Sequence, residues 1–188
     1  MATSVHVLGF AGSLRRESYN KAALHTAAEL APGGMEVEVF DLAPIPLYNA
    51  DVEADGPPPG VVDFKERIAR SDALLIATPE YNFSIPGVLK NAIDWASRPA
   101  DRSPLVGKPV ALLGAGGRMG TARSQLHMRQ VAVFTRMQVM VDPQVYIADA
   151  RSQFDEHGRL TNERYREQIG ALMAALLEWT LLLRGRPS

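Results

Sequence analysis

Short apolar runs recur along this chain at 5–10, 36–40, 73–77, 108–113 and 138–141, each bounded by glycine, proline or polar residues. Runs of that length and flanking read as strands. Glu36-Val37-Glu38-Val39-Phe40 alternates and predicts a half-exposed strand, whereas Ala73-Leu74-Leu75-Ile76-Ala77 is apolar throughout and predicts a buried one. Longer stretches with helical periodicity separate them. They cover about 19–30, closed by Pro32-Gly33-Gly34, then 61–70, then 86–96, opened by Pro86-Gly87, then 122–136 and 162–183. The segment 41–60 holds Pro57-Pro58-Pro59 and reads as an irregular excursion.

Strand and helix therefore alternate five times in 188 residues, the length of one ordinary domain. That alternation predicts an α/β fold with a parallel sheet and helices on both faces, in a single domain spanning 1–188. For five strands the expected order is 2-1-3-4-5. Loops at the carboxyl ends of strands one, three and four then crowd one end of the sheet. Open sheets of this kind bind ligands there.

Those three loops carry the candidate chemistry. In the first, Gly12-Ser13-Leu14-Arg15-Arg16-Glu17-Ser18-Tyr19-Asn20, the side chains of Ser13, Ser18 and Asn20 are neutral donors and Arg15 is a charged fork. With the N–H groups of the following helix they suit a phosphate dianion. The same residues would equally serve a plain loop in which Ser18 caps the helix and the arginines stay in solvent. The pattern is not Gly-x-x-x-x-Gly-Lys-Ser/Thr, so an ATPase reading has no support. The second loop, Thr78-Pro79-Glu80-Tyr81-Asn82-Phe83-Ser84, is stiff at its start. It offers a carboxylate, a phenol, an amide and backbone N–H groups, which suit the polar edge of a flat heterocycle. Glu80 could instead cap the third long helix or form a surface pair. The third loop, Gly114-Ala115-Gly116-Gly117-Arg118-Met119-Gly120, lets backbone approach a ligand closely. It only sketches a dinucleotide fingerprint, because the third glycine falls one position late, at Gly120 instead of 119.

Composition narrows the classes. The net charge is −1, so no strong field selects nucleic acid, and the chain lacks the acidity usual in a small electron carrier. There is no cysteine, which excludes disulfides, thiol catalysis and cysteine-ligated metal. His6, His25, His127 and His157 show no metal-ligand spacing and read as structural, with His6 in a core strand. Met119, Met128, Met137 and Met140 read as core or interface filler. No apolar run approaches the ~20 residues of a membrane helix. The first residues lack a basic segment followed by a long apolar one, so a cytoplasmic location is expected.

Residues 78–95 run from Pro79-Glu80-Tyr81-Asn82 through Pro86-Gly87 to Leu89-Lys90-Asn91-Ala92-Ile93-Asp94-Trp95. They closely resemble the signature of the NADPH-dependent FMN reductases, which include bacterial quinone and chromate reductases. The first loop resembles that family's phosphate loop, and the likeness extends from Val5 to the last helix. It implies a flavodoxin-like three-layer sandwich that binds FMN. Ser13, Arg15, Ser18 and Asn20 would hold the phosphate. Pro79, Glu80, Tyr81 and Asn82 would follow the ring and ribityl chain, and the backbone of Gly114, Ala115, Gly116 and Gly117 would approach the isoalloxazine. Relatives often carry hydroxyl residues in the third loop. This chain has none before Thr121, so any bond there must come from backbone.

The resemblance further implies that NADPH or NADH passes hydride to the flavin and leaves. A small-molecule acceptor (a quinone, free flavin, azo or nitro compound, or chromate) then takes its place in a ping-pong cycle with no catalytic side chain. Arg118 is a candidate partner for the nicotinamide cofactor's phosphate. A homodimer or homotetramer is expected, with Trp95, the region 93–99 and the helix around 125–134 as candidate contacts, and neither nucleic acid nor membrane as a partner. Two alternatives remain at this level: a flavodoxin-type electron carrier, and a nucleotide-binding or interaction protein on the same fold.

Overall fold

In the computed structural model, which describes residues 4–185, β1 (Val5–Ala11), β2 (Met35–Phe40), β3 (Ala73–Ala77) and β4 (Pro109–Ala115) form the body of a parallel sheet. Met1–Thr3, read above for a leader, lie outside the described residues. The fifth position is filled by two short strands, β5 (Gln138–Val139) and β6 (Val145–Ile147), both pairing with β4. The order is β2-β1-β3-β4-β5, as the alternation predicts. Helices α1 (Tyr19–Glu29), α2 (Ala50–Asp55), α3 (Pro59–Arg70), α4 (Gly87–Ala96), α5 (Ala122–Thr135) and α6 (Glu163–Arg184) connect and flank the strands.

The central strands β3 and β4 are buried along their whole length because both faces are covered. On one face, Val7, Leu75 and Leu113 pack with Leu24 of α1 and Met173 and Leu176 of α6. On the other, Leu8, Phe10, Ile76 and Leu112 pack with Phe64 of α3, Leu89 and Ile93 of α4 and Met128 of α5. β2 is a half-exposed edge, as its Glu-Val alternation requires. No helix is long and apolar enough to cross a membrane among the described residues.

Three local features depart from the sequence expectation. The excursion 41–60 contains α2, which Asn49 caps by accepting the Asp51 N–H (2.8 Å), and α3 begins earlier, at Pro59. Proline suits the first helical position, where its missing N–H is not needed. The fifth strand is broken. Gln138 pairs with Pro109 and Val145 with Leu113, and between them Pro143 offers no N–H to continue the ladder. His6 is exposed beside Glu36 at the foot of the sheet, below the layer that the helices cover.

The segment 46–48 is fastened to α4. Trp95 donates its indole N–H to the Pro46 carbonyl (2.9 Å). Asn91 accepts the Tyr48 N–H (2.8 Å) and also donates to Pro46 (2.8 Å). Asn91 and Trp95 of the signature therefore serve the interior of this chain. Trp95 is fully buried, so it is unavailable as the contact with another copy that the sequence suggested.

Candidate active site

Adjacent strand ends bring the three loops together. The Gly12 N–H bonds the Ala77 carbonyl (2.9 Å), Thr78 bonds Leu113 (2.9 Å), and Gly116 bonds Ile147 (3.0 Å). Gly12 lies so close to α4 and the second loop that a Cβ there would press on Leu89 and Pro79, at 3.0 and 3.1 Å. A glycine at this point is thus set by packing between the first two loops.

The first loop shows what the plain-loop reading named, a serine cap on α1 and an arginine in solvent, beside further polar groups that are buried. Ser13, Ser18 and Asn20 are all buried, and the Ser18 hydroxyl caps α1 by accepting the Lys21 N–H (3.4 Å). Arg15 reaches into solvent over the Tyr19 ring at 5.7 Å. The remaining first-turn N–H groups of a helix have no intrahelical acceptor and carry partial positive charge. Lys21 does not add to that charge at the loop, since it pairs with Asp41 at the end of β2 (3.1 Å). Burial pushes the Asp41 carboxyl up, but the Ala43 N–H and the Lys21 ammonium outweigh it and hold the group below the usual carboxylate range.

Asn20 has a different geometry from its neighbours. Its amide donates to the Ala115 carbonyl (2.8 Å) and accepts the Ala115 N–H (2.9 Å). The side chain at the start of α1 therefore completes both backbone bonds at the end of β4, 95 residues away. It joins the first loop to the third, and one amide N–H remains for another partner.

The second loop is held by its own acid. One Glu80 oxygen accepts the N–H groups of Arg123 (2.9 Å) and Ser124 (3.2 Å), and the other pairs with the Arg123 guanidinium (3.0 Å). Thr121 makes no side-chain cap on α5, so Glu80 supplies that cap from across the site. Glu80 caps a helix, but the helix is α5 and not α4, the one that the cap reading of the sequence named. Residues 81–84 form a tight hairpin, with Tyr81 and Ser84 exchanging both backbone bonds (3.1 and 3.0 Å). Asn82 and Phe83 at its tip have φ of 50° and 65°, the pair of left-handed residues that a type I′ turn needs. Asparagine tolerates that region; phenylalanine does so at a cost. Phe83 is nonetheless exposed, as is Tyr81, and the Arg123 guanidinium lies 3.9 Å from the Phe83 ring centroid. Ser84 also bonds His127 Nδ1 (2.9 Å). Neither burial nor turn preference accounts for Phe83, and backbone strain of this kind concentrates at functional sites.

The third loop is a second tight turn, closed by a bond from the Gly120 N–H to the Gly117 carbonyl (2.8 Å). Its glycines have separate reasons. A side chain on Gly114 would overlap Thr121 and the Thr78 carbonyl, and one on Gly116 would overlap the Gly120 carbonyl. Gly120 has φ of +58° and lies against Tyr146, a fit that the sequence did not single out. Only Gly117 among the four candidates 114–117 faces open space, where backbone can meet a ligand. It lines a cleft of about 680 Å³ with Tyr19, Gly116, Asp149, Ala150 and Arg151. Asp149 and Arg151 carried no signal of their own in the sequence. They reach the cleft because the Asp149 and Ala150 N–H groups bond the carbonyls of Gly117 and Gly116 (3.0 and 2.9 Å). A cleft of similar size, about 690 Å³, lies on the outer flank of α1. It touches the first loop but neither of the others, so the cleft at the sheet end is the better place for a flat ligand.

Comparison with known proteins agrees with this geometry. The model of the NADPH-dependent FMN reductase family matches residues 5–152. A NAD(P)H-dependent FMN reductase of Pseudomonas aeruginosa is 53% identical over 98% of this chain and 100% of its own. A NAD(P)H:quinone oxidoreductase of Solanum tuberosum is 40% identical over 97% of this chain and 96% of its own. The solved structure of FerB, a flavoenzyme NAD(P)H:(acceptor) oxidoreductase from Paracoccus denitrificans, superposes with a TM-score of 0.86 at 34% identity, covering 95% and 98% of the two chains. Buried hydroxyls at a helix start, the hairpin 81–84 and an open glycine turn thus meet at one sheet end, and this chain belongs to the NADPH-dependent FMN reductase family.

Proposed function

We propose that the protein is an FMN-dependent reductase that carries two electrons from NAD(P)H to quinones and related small acceptors. The observation that carries this reading is the meeting of the three loops at one end of the sheet, in a chain whose relatives bear those names over nearly their whole length. Bound FMN supplies the redox chemistry, taking hydride from the donor and returning two electrons to the acceptor.

The residues present fit that cofactor. Ser13, Ser18, Arg15 and the first-turn N–H groups of α1 offer donors and positive charge to its phosphate. The backbone of Pro79, Glu80, Tyr81 and Asn82 would hold the ring, and the Glu80 carboxylate positions that backbone by gripping α5. Gly117 would leave room for the cofactor, with Gly114, Ala115 and Gly116 shaping the turn that presents it. Asn20 holds the phosphate loop in register with that turn. Tyr81 and Phe83 give the rim aromatic faces for flat acceptors, and Arg118 and Arg151 give it positive charge for the donor's phosphates. Donor and acceptor would use the same site in turn, and the cycle needs no side chain as acid or base. NADPH added without an acceptor tests this, since the bound flavin must lose its colour in the first half of the cycle. A cytoplasmic location suits an enzyme that draws on NAD(P)H.

The same reading includes a homo-oligomer. Leu126, Val133 and Phe134, spaced for one face of α5, are 65%, 80% and 83% exposed. Large apolar groups so exposed on one helix face mark an association surface. Light scattering at micromolar concentration should give a multiple of the 20.5 kDa chain mass, and replacing both Val133 and Phe134 by lysine should shift it toward one chain. A parent protein that scatters as a single chain would remove this element.

A further inference from the structure

The sequence groups Met119 with Met128, Met137 and Met140 as core or interface filler, and the structure separates it from the buried three. Met128 and Met173 are 0% exposed and Met137 and Met140 are 6% exposed, whereas Met119 is 56% exposed. Met35 is partly buried, so Met119 is the only exposed methionine among the described residues. It sits at the tip of the Gly117–Gly120 turn, two residues after Gly117, which lines the cleft. The backbone of that turn is fixed without it. Gly117 accepts from Gly120 and Asp149, Gly116 bonds Ile147 and Ala150, and Gly120 lies against Tyr146. The thioether can therefore change its chemistry without loosening the fold.

Thioether oxidation follows exposure, because the oxidant must reach sulfur. We propose that Met119 is a modification site for hydrogen peroxide, and that its sulfoxide sets how well the rim accepts apolar substrates. One peroxide oxygen is transferred to Sδ, which is oxidised by two electrons; the peroxide is reduced to water. The product is a polar, chiral sulfoxide where a flexible apolar group stood. A methionine in the core would break packing on oxidation, and its slow access protects it. At 119 the change stays on the surface, so the effect falls on the cleft and not on stability. The effect on substrate rests on the function proposed above. The order of oxidation does not.

The FMN-loaded protein is treated with graded hydrogen peroxide, digested with trypsin and mapped by mass spectrometry. Cleavage after Arg118 and Arg123 releases the peptide 119–123, which holds one methionine. That peptide should gain one oxygen at least about tenfold faster than those holding Met128, Met137, Met140 or Met173. Equal rates, or a buried methionine reacting first, would overturn the site. Peroxide treatment should then raise KM for a simple benzoquinone about threefold or more, with kcat and the unfolding midpoint held. Methionine sulfoxide reductase should reverse the change, and Met119→Leu should abolish it. An unchanged KM, or the same rise in Met119→Leu, would overturn the role at the rim. If FMN fails to bind, the function proposed above fails, while the peptide order still decides the site.

Discussion

Replacing Asn20 by alanine is expected to lower the thermal unfolding midpoint by about 5–15 °C, and to do so in protein without cofactor as well as with it. Asn20 is buried, and it alone satisfies both the N–H and the carbonyl of Ala115. Alanine would leave those two groups buried and unpaired, and each such loss costs about 1–3 kcal/mol. In a chain of this size each kcal/mol moves the midpoint by about 2–4 °C. FMN affinity should fall at least about tenfold, because the phosphate loop and the glycine turn are no longer held in register. Asn20→Asp separates the two bonds. It keeps the acceptor for the Ala115 N–H, sets a carboxylate against the Ala115 carbonyl and adds a negative charge at the phosphate loop. Its affinity for FMN should fall below that of Asn20→Ala even if its stability does not. A midpoint within about 1 °C of the parent for Asn20→Ala would mean that the clasp contributes nothing.

Replacing Glu80 by glutamine should cost about 1.5–3 kcal/mol and loosen the hairpin 81–84 from α5. The carboxylate presents only acceptors to three N–H donors, and an amide must turn its own NH₂ toward one of them. A glutamine carbonyl can still accept both backbone N–H groups at the start of α5, so most of the effect comes from the negative charge lost there, where it is favoured. The Arg123 side chain is 42% exposed while Glu80 is 10% exposed, so solvent screens the ion pair itself. Arg123→Met should therefore destabilise much less than Glu80→Gln. It should still free the Phe83 ring, which the guanidinium covers. Calorimetry of the three proteins and FMN titration of each would check this. Equal losses in Glu80→Gln and Arg123→Met would show that the ion pair, and not the cap, holds the loop.

Much of the frame was legible in the sequence. The five-fold alternation of strand and helix dictates a parallel sheet, and its order followed from strand number. Pro79, Pro86 and the glycines of 114–117 punctuate the chain at the carboxyl ends of β3 and β4, so the loops that meet were visible beforehand. β6 was not visible, because Val145–Ile147 is three residues long and follows Pro143, too short a pattern to exceed a loop's. α2 was hidden in a segment whose prolines suggested no regular structure. What Asn20 and Glu80 do was also hidden. Their chemistry is plain from residue type, but their partners lie 95 and 43 residues away and are chosen by the fold. Residue type alone makes Asn20 a phosphate donor and Glu80 a ligand contact, a cap or a surface pair, and in both the interior takes most of the side chain's hydrogen-bonding capacity.

The most direct test of the function is the visible spectrum of the purified protein with FMN, in the absence of oxygen, before and after NADPH and then a benzoquinone. The expected result is flavin bands that bleach with NADPH alone and return in full when the quinone is added. Bands that persist through the NADPH addition would contradict the reductase and leave a carrier reduced by another protein. Failure to bind FMN at all would contradict the cofactor itself.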